Sequence, residues 1–297
     1  MLNPLEKTRK NLFIWAVAVP LVLYIGVFFY WPIGYNFVIS FAKTNLMTTF
    51  SWTGFGNYIS LFKSDLFRQS LLHNLEYLLI MVFGGILSSI IIAELISLCS
   101  QAMKRVFTFM FFTPVVTSLV ASALIWKLLY FPNTGLFSKI FEFLGMGQQA
   151  FLFDPKLALL CIIIFDIWKD TGLRVVILLA AIDQIPDTLF EAADLDGASE
   201  FYKFFKIKLP LIYPQIFFLM VIYSINALRV FTQVFMLTDY PGGGPGTATY
   251  VLNLLMYHNS FRKMTFGIGA STAVIIFILL FFFVLMQIRL NMRRSET

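Results

Sequence analysis

Charge is scarce in this chain, and so are the residue types that metal sites require. Only 13% of the 297 residues are charged, against about a quarter in soluble domains, and there are two histidines and two cysteines. His73 and His258 stand alone, without the cysteine or carboxylate spacing of a metal site. We therefore expect no metal site, and we expect Cys99 and Cys161 to be free thiols that behave as small apolar residues.

Patterns for nucleotide binding, catalysis and nucleic-acid binding are also missing. No Gly-x-x-x-x-Gly-Lys-Ser/Thr phosphate loop occurs, and the glycine cluster at 242–246 lacks the lysine that would follow. No nucleophile and base are arranged for chemistry. The net charge of +6 comes mainly from residues at the ends of apolar runs, without a basic patch interleaved with aromatics. We expect no enzyme activity, no cofactor in this chain and no nucleic-acid partner.

Apolar residues dominate what is present. They make up 59% of the chain, with 35 phenylalanines and a mean hydropathy of +0.81. Runs of roughly 20 apolar residues can cross about 30 Å of hydrocarbon. Six occur, near residues 12–31, 75–98, 107–130, 157–182, 211–237 and 270–290. The first run lacks the small residues of a signal-peptide cleavage site, so we expect it to be kept as a transmembrane span. The sequence predicts an all-α polytopic membrane protein with six transmembrane helices in contact with lipid.

The basic residues outside these runs predict the orientation. Eleven lysines and arginines lie on the side of the two ends, and seven lie on the other side. Because positive residues favour the cytoplasm, both termini are expected there. We expect a single membrane domain over 1–297, with core spans at about 71–290 and no second soluble domain.

A polar segment at 186–210 interrupts the apolar pattern on the predicted cytoplasmic side. Thr188 and Glu191 have the spacing of a capping box, which predicts a helix start. Gly197 permits a turn, and Ser199 can cap a following helix. The segment is therefore expected to form a helix-turn-helix that presents acidic side chains to water.

Several motifs in a fixed order carry a family resemblance. The polar segment contains the motifs Glu191-Ala192-Ala193, Asp196-Gly197-Ala198 and Ile207-x-Leu209-Pro210. It is flanked by Gln184-Ile185-Pro186 and Leu211-Ile212-Tyr213-Pro214. Motifs elsewhere in the chain are Tyr30-Trp31-Pro32, Ser40-Phe41, Gly56-Asn57-Tyr58, Leu237-Thr238, the glycine cluster ending in Pro245, and Gly267-Ile268-Gly269-Ala270-Ser271. Together they resemble permease subunits of the maltose-type, carbohydrate-uptake ABC importers over nearly the whole chain. The residues at 239–241 depart from that pattern.

The resemblance implies a role for the polar segment. It would be an EAA-type coupling helix that sits in a groove of a cytoplasmic ATPase subunit. Glu191 would pair with a basic residue there, Ala192 and Ala193 would allow close approach, and Asp196 and Gly197 would complete the motif and its turn. Without the resemblance, a solvated helix with no partner is an equal alternative.

Ionisable residues inside two predicted spans are the candidate solute contacts, because buried charges in membranes usually face a cavity or a partner. In the fourth span Asp166, Asp170 and Arg174 share a helical face, with Lys169 beside them. In the fifth span a similar face carries amide and guanidinium groups. We expect a water-accessible cavity that binds a hydroxyl-rich solute through Asp166, Trp168, Asp170, Tyr223, Asn226, Arg229 and Gln233. Alternatively, Asp170 and Arg174 neutralise each other, and Arg229 pairs with an acid of a partner subunit.

The resemblance implies a function and a set of partners. The chain would be the permease subunit of an importer that moves a sugar or oligosaccharide, neutral or acidic, inward across the bacterial inner membrane. A second homologous permease, two ATPase subunits that hold ATP and Mg, and an extracytoplasmic solute-binding protein would complete the complex. Alternatives are a glycerophosphodiester importer and an ion-coupled transporter without an ATPase, whose intramembrane charges would carry ions.

Overall fold

The computed structural model describes residues 4–47, 49–238 and 242–295, and side-chain environments from residue 14 to 292 within these ranges. The departure from the family pattern at 239–241 lies outside the described residues, as do the side chains of the basic residues nearest the two ends. The chain divides into two compact units. The first runs to Lys63 and takes in Met256–Ile275, and the second comprises Ser64–Leu255 and the residues from Ile276 onward.

The first unit begins with a long helix of exposed apolar side chains. A π-helical turn at Gly26–Tyr30 joins its two parts, so the helix is continuous. The elements of this unit up to Lys63 are α1 (Pro4–Ile25), α2 (Trp31–Ile39), β1 (Ala42–Thr44), β2 (Phe50–Trp52) and α3 (Gly56–Lys63).

A short β-hairpin corrects the prediction of an all-α fold. Strands β1 and β2 pair antiparallel, with Lys43 opposite Ser51. The loop between them is organised by Asn45, whose side-chain oxygen accepts hydrogen bonds from the backbone N–H of Met47 at 3.1 Å and of Thr49 at 2.9 Å. Strands of three residues leave too short a pattern of alternation to be recognised in sequence.

In the second unit all the secondary-structure elements of the described residues are helices. Its helices are α4 (Asp65–Leu79), α5 (Gly85–Ser97), α6 (Gln101–Val116), α7 (Leu119–Leu129), α8 (Leu136–Phe143), α9 (Ala158–Ile182), α10 (Asp187–Leu195), α11 (Glu200–Lys203), α12 (Leu209–Leu211), α13 (Tyr213–Leu228) and α14 (Thr232–Leu237). Two further helices, α15 (Leu252–Tyr257) and α16 (Phe266–Ser295), each contain residues of both units. A π-helical turn joins α4 to α5, and a second one joins α11 to α12.

Helix α9 is the centre of the second unit, although it carries four ionisable residues. Most of its side chains are buried, and it packs closely on α5 and α6. Its 25 residues would span about 37 Å at 1.5 Å per residue. Gly172 permits the close approach to α6, because a Cβ there would lie 2.6 Å from the carbonyl carbon of Phe111 and 2.7 Å from the Cα of Phe112.

The number of helices suited to crossing a membrane is three to five among the described residues. Ile14–Ile39, Asp65–Ser97 and Phe266–Met292 are long and apolar enough by themselves. Two bent pairs qualify if each is one broken span: α6 with α7, bent by 101°, and Glu200–Leu211 with α13, bent by 63°. Helix α9 is also long enough to cross a membrane, but its four charged residues distinguish it from these apolar helices. A mostly helical protein with several apolar spans is confirmed, and the sixfold count stays a prediction.

Two predicted spans are interrupted. The run at 107–130 breaks at Thr117 and Ser118, which have extended backbones, and the Ser118 side chain caps α7 by accepting from the N–H of Ala121. The run at 211–237 ends its first helix at Leu228, and α14 starts only at Thr232. The polar face that we expected on one continuous fifth helix is therefore divided between two helices.

Candidate functional site

The polar segment forms the predicted helix-turn-helix. Helix α10 contains the Glu-Ala-Ala motif, and α11 follows after a short turn. Ser199 caps α11, since its side chain accepts a hydrogen bond from the N–H of Tyr202 at 3.3 Å. The capping box predicted at Thr188 and Glu191 is wrong. The helix already begins at Asp187, so Thr188 lies inside it, and Pro186 holds the cap position without a side-chain bond.

The turn after α10 depends on Gly197. Its φ of +72° is a left-handed conformation that glycine adopts without the penalty of a side chain. The N–H of Gly197 donates to the carbonyl of Asp194 at 3.0 Å, and the N–H of Ala198 donates to the carbonyl of Ala193 at 2.9 Å. This pair of bonds is a Schellman motif, which satisfies the last carbonyls of the helix and fixes its exit direction.

Three lysines make ion pairs in the segment or at its border with the helical bundle. Lys208 pairs with Glu94 of α5 at 2.6 Å. Lys104 of α6 pairs with Asp183, just after α9, at 2.9 Å.

The third lysine, Lys203, joins α10 to α11. It pairs with Asp194 at 2.5 Å and with Glu200 at 2.6 Å. These hydrogen bonds, first that to Asp194 and then that to Glu200, raise the pKa of Lys203 above its ordinary value. Its ammonium group therefore stays charged at every physiological pH.

The opposite side of the segment is open. Glu191, Ala192 and Asp196 are exposed, and Glu191 makes no ion pair or hydrogen bond through its side chain within the described part of the chain. A groove of about 640 Å³ runs between α10 and the residues that follow the turn. Leu195 is 91% exposed and Phe201 is 74% exposed. Exposed apolar side chains beside an unpaired carboxylate are typical of a surface that contacts another protein.

A buried polar cluster surrounds Asp166 of α9. Its carboxylate accepts a hydrogen bond from the hydroxyl of Tyr77 at 2.6 Å and from the amide of Gln233 at 2.9 Å. Asp166 and Tyr77 are buried, and Gln233 is half-buried. The structure thus brings together two predicted site residues from different helices, Asp166 and Gln233. It also adds Tyr77, which the sequence did not indicate.

Lys169 has a structural role that its spacing did not reveal. Its buried ammonium donates to the carbonyl of Pro114 at 2.5 Å and of Val115 at 3.0 Å. Both carbonyls lie at the end of α6, where the helix breaks; that of Pro114 also accepts from the N–H of Thr117 at 3.2 Å and from its hydroxyl at 2.6 Å. A cation also suits the negative end of the helix dipole. Lys169 therefore stabilises the bend between α6 and α7.

Arg174 is fully buried among neutral groups. Its Nε donates to Ser89 Oγ at 3.0 Å, and its Nη2 donates to the carbonyl of Ile167 at 3.0 Å and to Thr171 Oγ1 at 3.2 Å. The guanidinium lies 4.4 Å from the ring centroid of Tyr223, a cation–π contact. The ring of Tyr223, a predicted solute contact, is thus buried against Arg174.

The alternative in which Asp170 and Arg174 neutralise each other is not seen, since no ion pair joins them in the described residues. The carboxylate of half-buried Asp170 has no hydrogen-bond donor among the described residues, although its backbone carbonyl accepts from the hydroxyl of Tyr223 at 3.4 Å. Trp168 is 39% exposed, and its ring centroid lies 5.0 Å from that of Trp126 in an aromatic cluster.

Asn226 and Arg229 are exposed near the end of α13. The structure places them on the helix side of the break and Gln233 beyond it, so the shared helical face predicted for the three is wrong. The break itself is held by two asparagines. Asn253 donates to the carbonyls of Leu228 and Val230 at 3.2 and 3.3 Å. Asn74 of α4 donates to the carbonyl of Leu228 at 3.5 Å.

Comparison with known proteins decides the family. The sequence pattern of the binding-protein-dependent transport system inner membrane components matches residues 85–295, which include the helix-turn-helix and, from the polar cluster, Asp166 and Gln233. The chain belongs to this family. The permease resemblance found in the sequence is thereby confirmed, and this permease falls in a family of transport components rather than of enzymes.

Individual relatives match this permease over nearly its whole length. The probable ABC transporter permease protein YurN of Bacillus subtilis is 33% identical over 91% of this chain and 93% of its own length. The multiple sugar-binding transport system permease protein MsmF of Streptococcus mutans is 30% identical over 93% of both chains. A crystal structure of a bacterial ABC transporter for the acidic polysaccharide alginate has a chain of the same fold, with a TM-score of 0.82 over 97% of this chain and 98% of that chain at 23% identity.

Proposed function

We propose that this permease is the transmembrane subunit of an ATP-driven importer that carries a sugar or oligosaccharide into the cell. Six spans would enclose the path, with α9 as the fourth and both termini in the cytoplasm. A second homologous permease, two ATPase subunits that bind ATP and Mg, and an extracytoplasmic solute-binding protein would complete the complex. The sugar-transport role stated in the name of MsmF and the binding-protein-dependent character of the family support this assignment.

The observation that carries the proposal is the two-sided character of the helix-turn-helix. Its inner side is tied to α5 of the bundle through the ion pair of Lys208 with Glu94, and its outer side presents Glu191 without a partner among the described residues, beside exposed Leu195. A rigid helix fixed to the bundle can transmit a movement of the ATPase to the spans. We infer that α10 is the coupling helix, and that its displacement switches the solute path between inward-facing and outward-facing states.

Replacing Glu191 tests the coupling. In the reconstituted importer, Glu191→Ala should reduce solute-stimulated ATP hydrolysis and uptake at least tenfold, because a desolvated charge pair across an interface is worth about 2–5 kcal/mol. The matched control is Glu142→Ala, which removes an exposed carboxylate from α8. Uptake by the Glu191 variant at the control level, or uptake that needs no ATPase at all, would refute the importer assignment.

The solute would contact those candidate residues whose side chains are at least partly exposed. Trp168, Asn226 and Arg229 are exposed, and Asp170 is half-buried. An aromatic face, an amide and charged groups are the partners that a hydroxyl-rich ring requires. Asp166 would act through Gln233, which it orients, and Tyr223 would act through its contact with Arg174.

Removing single charges tests this cavity. Arg229→Gln should lower the uptake of an acidic sugar relative to a neutral one by roughly tenfold or more, because hydrogen bonds to charged groups contribute about 1.5–3 kcal/mol. Asp170→Asn should shift the preference the other way. Competition between a neutral and an acidic trisaccharide measures both. If neither variant changes selectivity, these residues do not line the solute path.

A further inference from the structure

A groove of about 510 Å³ lies between α6 and α9, at the end of both helices that is near the helix-turn-helix. Its walls are formed by Phe109 and Phe112 of α6 and by Val176 and Leu179 of α9. We propose that this groove binds an anionic phospholipid, with an acyl chain against the apolar walls and the phosphate beside Arg105.

The shape of the groove follows from two fixed contacts. At one end Gly172 lets α9 touch the backbone of α6 at Phe111, so the helices are in close contact there. At the other end Lys104 bridges to Asp183 at 2.9 Å. Between these points the two helices leave an open groove on their surface.

The charge at the polar end is unbalanced. Lys104 is already paired with Asp183, whereas the exposed Arg105 has no ion pair or hydrogen bond from its side chain among the described residues. Gln101 and Thr108 line the same end and supply further polar groups. One free guanidinium beside neutral polar groups is suited to a single phosphodiester, since arginine recognises phosphate with two parallel hydrogen bonds.

The order of the residues along α6 favours a lipid over a soluble anion. Gln101, Lys104 and Arg105 form its first turns, and the apolar wall follows within the next two. A phospholipid has the same order, with the phosphate at the water interface and chains below it. Basic pockets between helices at the cytoplasmic face are sites of this kind. A soluble phosphate would leave exposed Phe109, with 73% of its surface accessible, without any partner.

Lipid retention by the purified full-length chain tests the site. Native mass spectrometry would compare phosphatidylglycerol with phosphatidylcholine added at equal concentration. Wild type should retain phosphatidylglycerol preferentially, and Arg105→Gln should weaken that retention roughly fivefold, the effect of about one surface charge on an anionic lipid. The matched control is Arg289→Gln, an exposed arginine near the end of α16 at the same predicted membrane face. It should retain the lipid as wild type does.

A second variant separates the groove from the charge alone. Val176→Phe narrows the apolar part and leaves Lys104 and Arg105 in place, so it should reduce phosphatidylglycerol retention as well. Three results would overturn the proposal: unchanged retention in Arg105→Gln, equal loss in Arg289→Gln, or full retention in Val176→Phe. The last would mean that the headgroup binds without an acyl chain in the groove. Because the assay involves no transport, its failure would not bear on the importer function.

Discussion

The contact between α6 and α9 at Gly172 gives a sharp test of the packing. A Cβ at this position would lie 2.6 Å from the carbonyl carbon of Phe111 and 2.7 Å from the Cα of Phe112, well inside the 3.4 Å at which ordinary contact begins. These are backbone atoms, which cannot rotate away, so Gly172→Ala must push the two helices apart. Overpacking of a core costs about 1–3 kcal/mol, and we expect the upper end of that range for this variant.

The measurement is unfolding of the purified permease in detergent, followed by circular dichroism during heating and during titration with a denaturing detergent. The matched control is Gly84→Ala in the same unit, where the nearest atoms to a new Cβ are 3.8 Å away. That variant should be neutral or more stable by up to about 1 kcal/mol, because alanine favours helix over glycine. Equal midpoints for the two variants would refute the close contact between α6 and α9.

Two further changes test single hydrogen-bonded groups. Lys169→Met should lower the free energy of unfolding by about 1–3 kcal/mol, because two carbonyls of α6 lose a buried donor. Lys169→Arg keeps a donor and should restore much of that loss. Unfolding in a denaturing detergent measures both variants. Ser199→Ala should cost about 1 kcal/mol of local stability by removing the cap of α11, and faster hydrogen exchange confined to α11 would register it, while an unchanged exchange rate would contradict the cap.

Features encoded by neighbouring residues could be predicted from the sequence. The turn at Gly197 and the cap at Ser199 depend on residues within one helical turn of each other, and both are confirmed. The family assignment likewise depends on motifs of a few residues. The predicted start of α10 at Thr188 is wrong, because Pro186 occupies the N-cap position and the helix begins at Asp187.

Contacts between distant residues could not be predicted. Asp166 was chosen because a charge within a span is costly, but its partner Tyr77 lies 89 positions away and belongs to an ordinary-looking helix. The break after Leu228 has no proline or glycine at 229–231, so the fifth span was read as continuous. Its cause is tertiary, because Asn74 and Asn253 supply donors to carbonyls that a continuous helix would have used itself.

The broken helices constrain how this permease can move. The carbonyls at the end of α6 take hydrogen bonds from Lys169 of α9, and those at the end of α13 take them from α4 and α15. Away from water, a half-helix that slid alone would take these carbonyls away from those donors, at a cost in free energy. Helices α7 and α14 pack on each other and follow the two breaks. They should therefore move together with α9, α4 and α15, which donate hydrogen bonds at those breaks. Motion in this unit is then expected as a few discrete arrangements of whole groups of helices, and not as gradual bending of one helix.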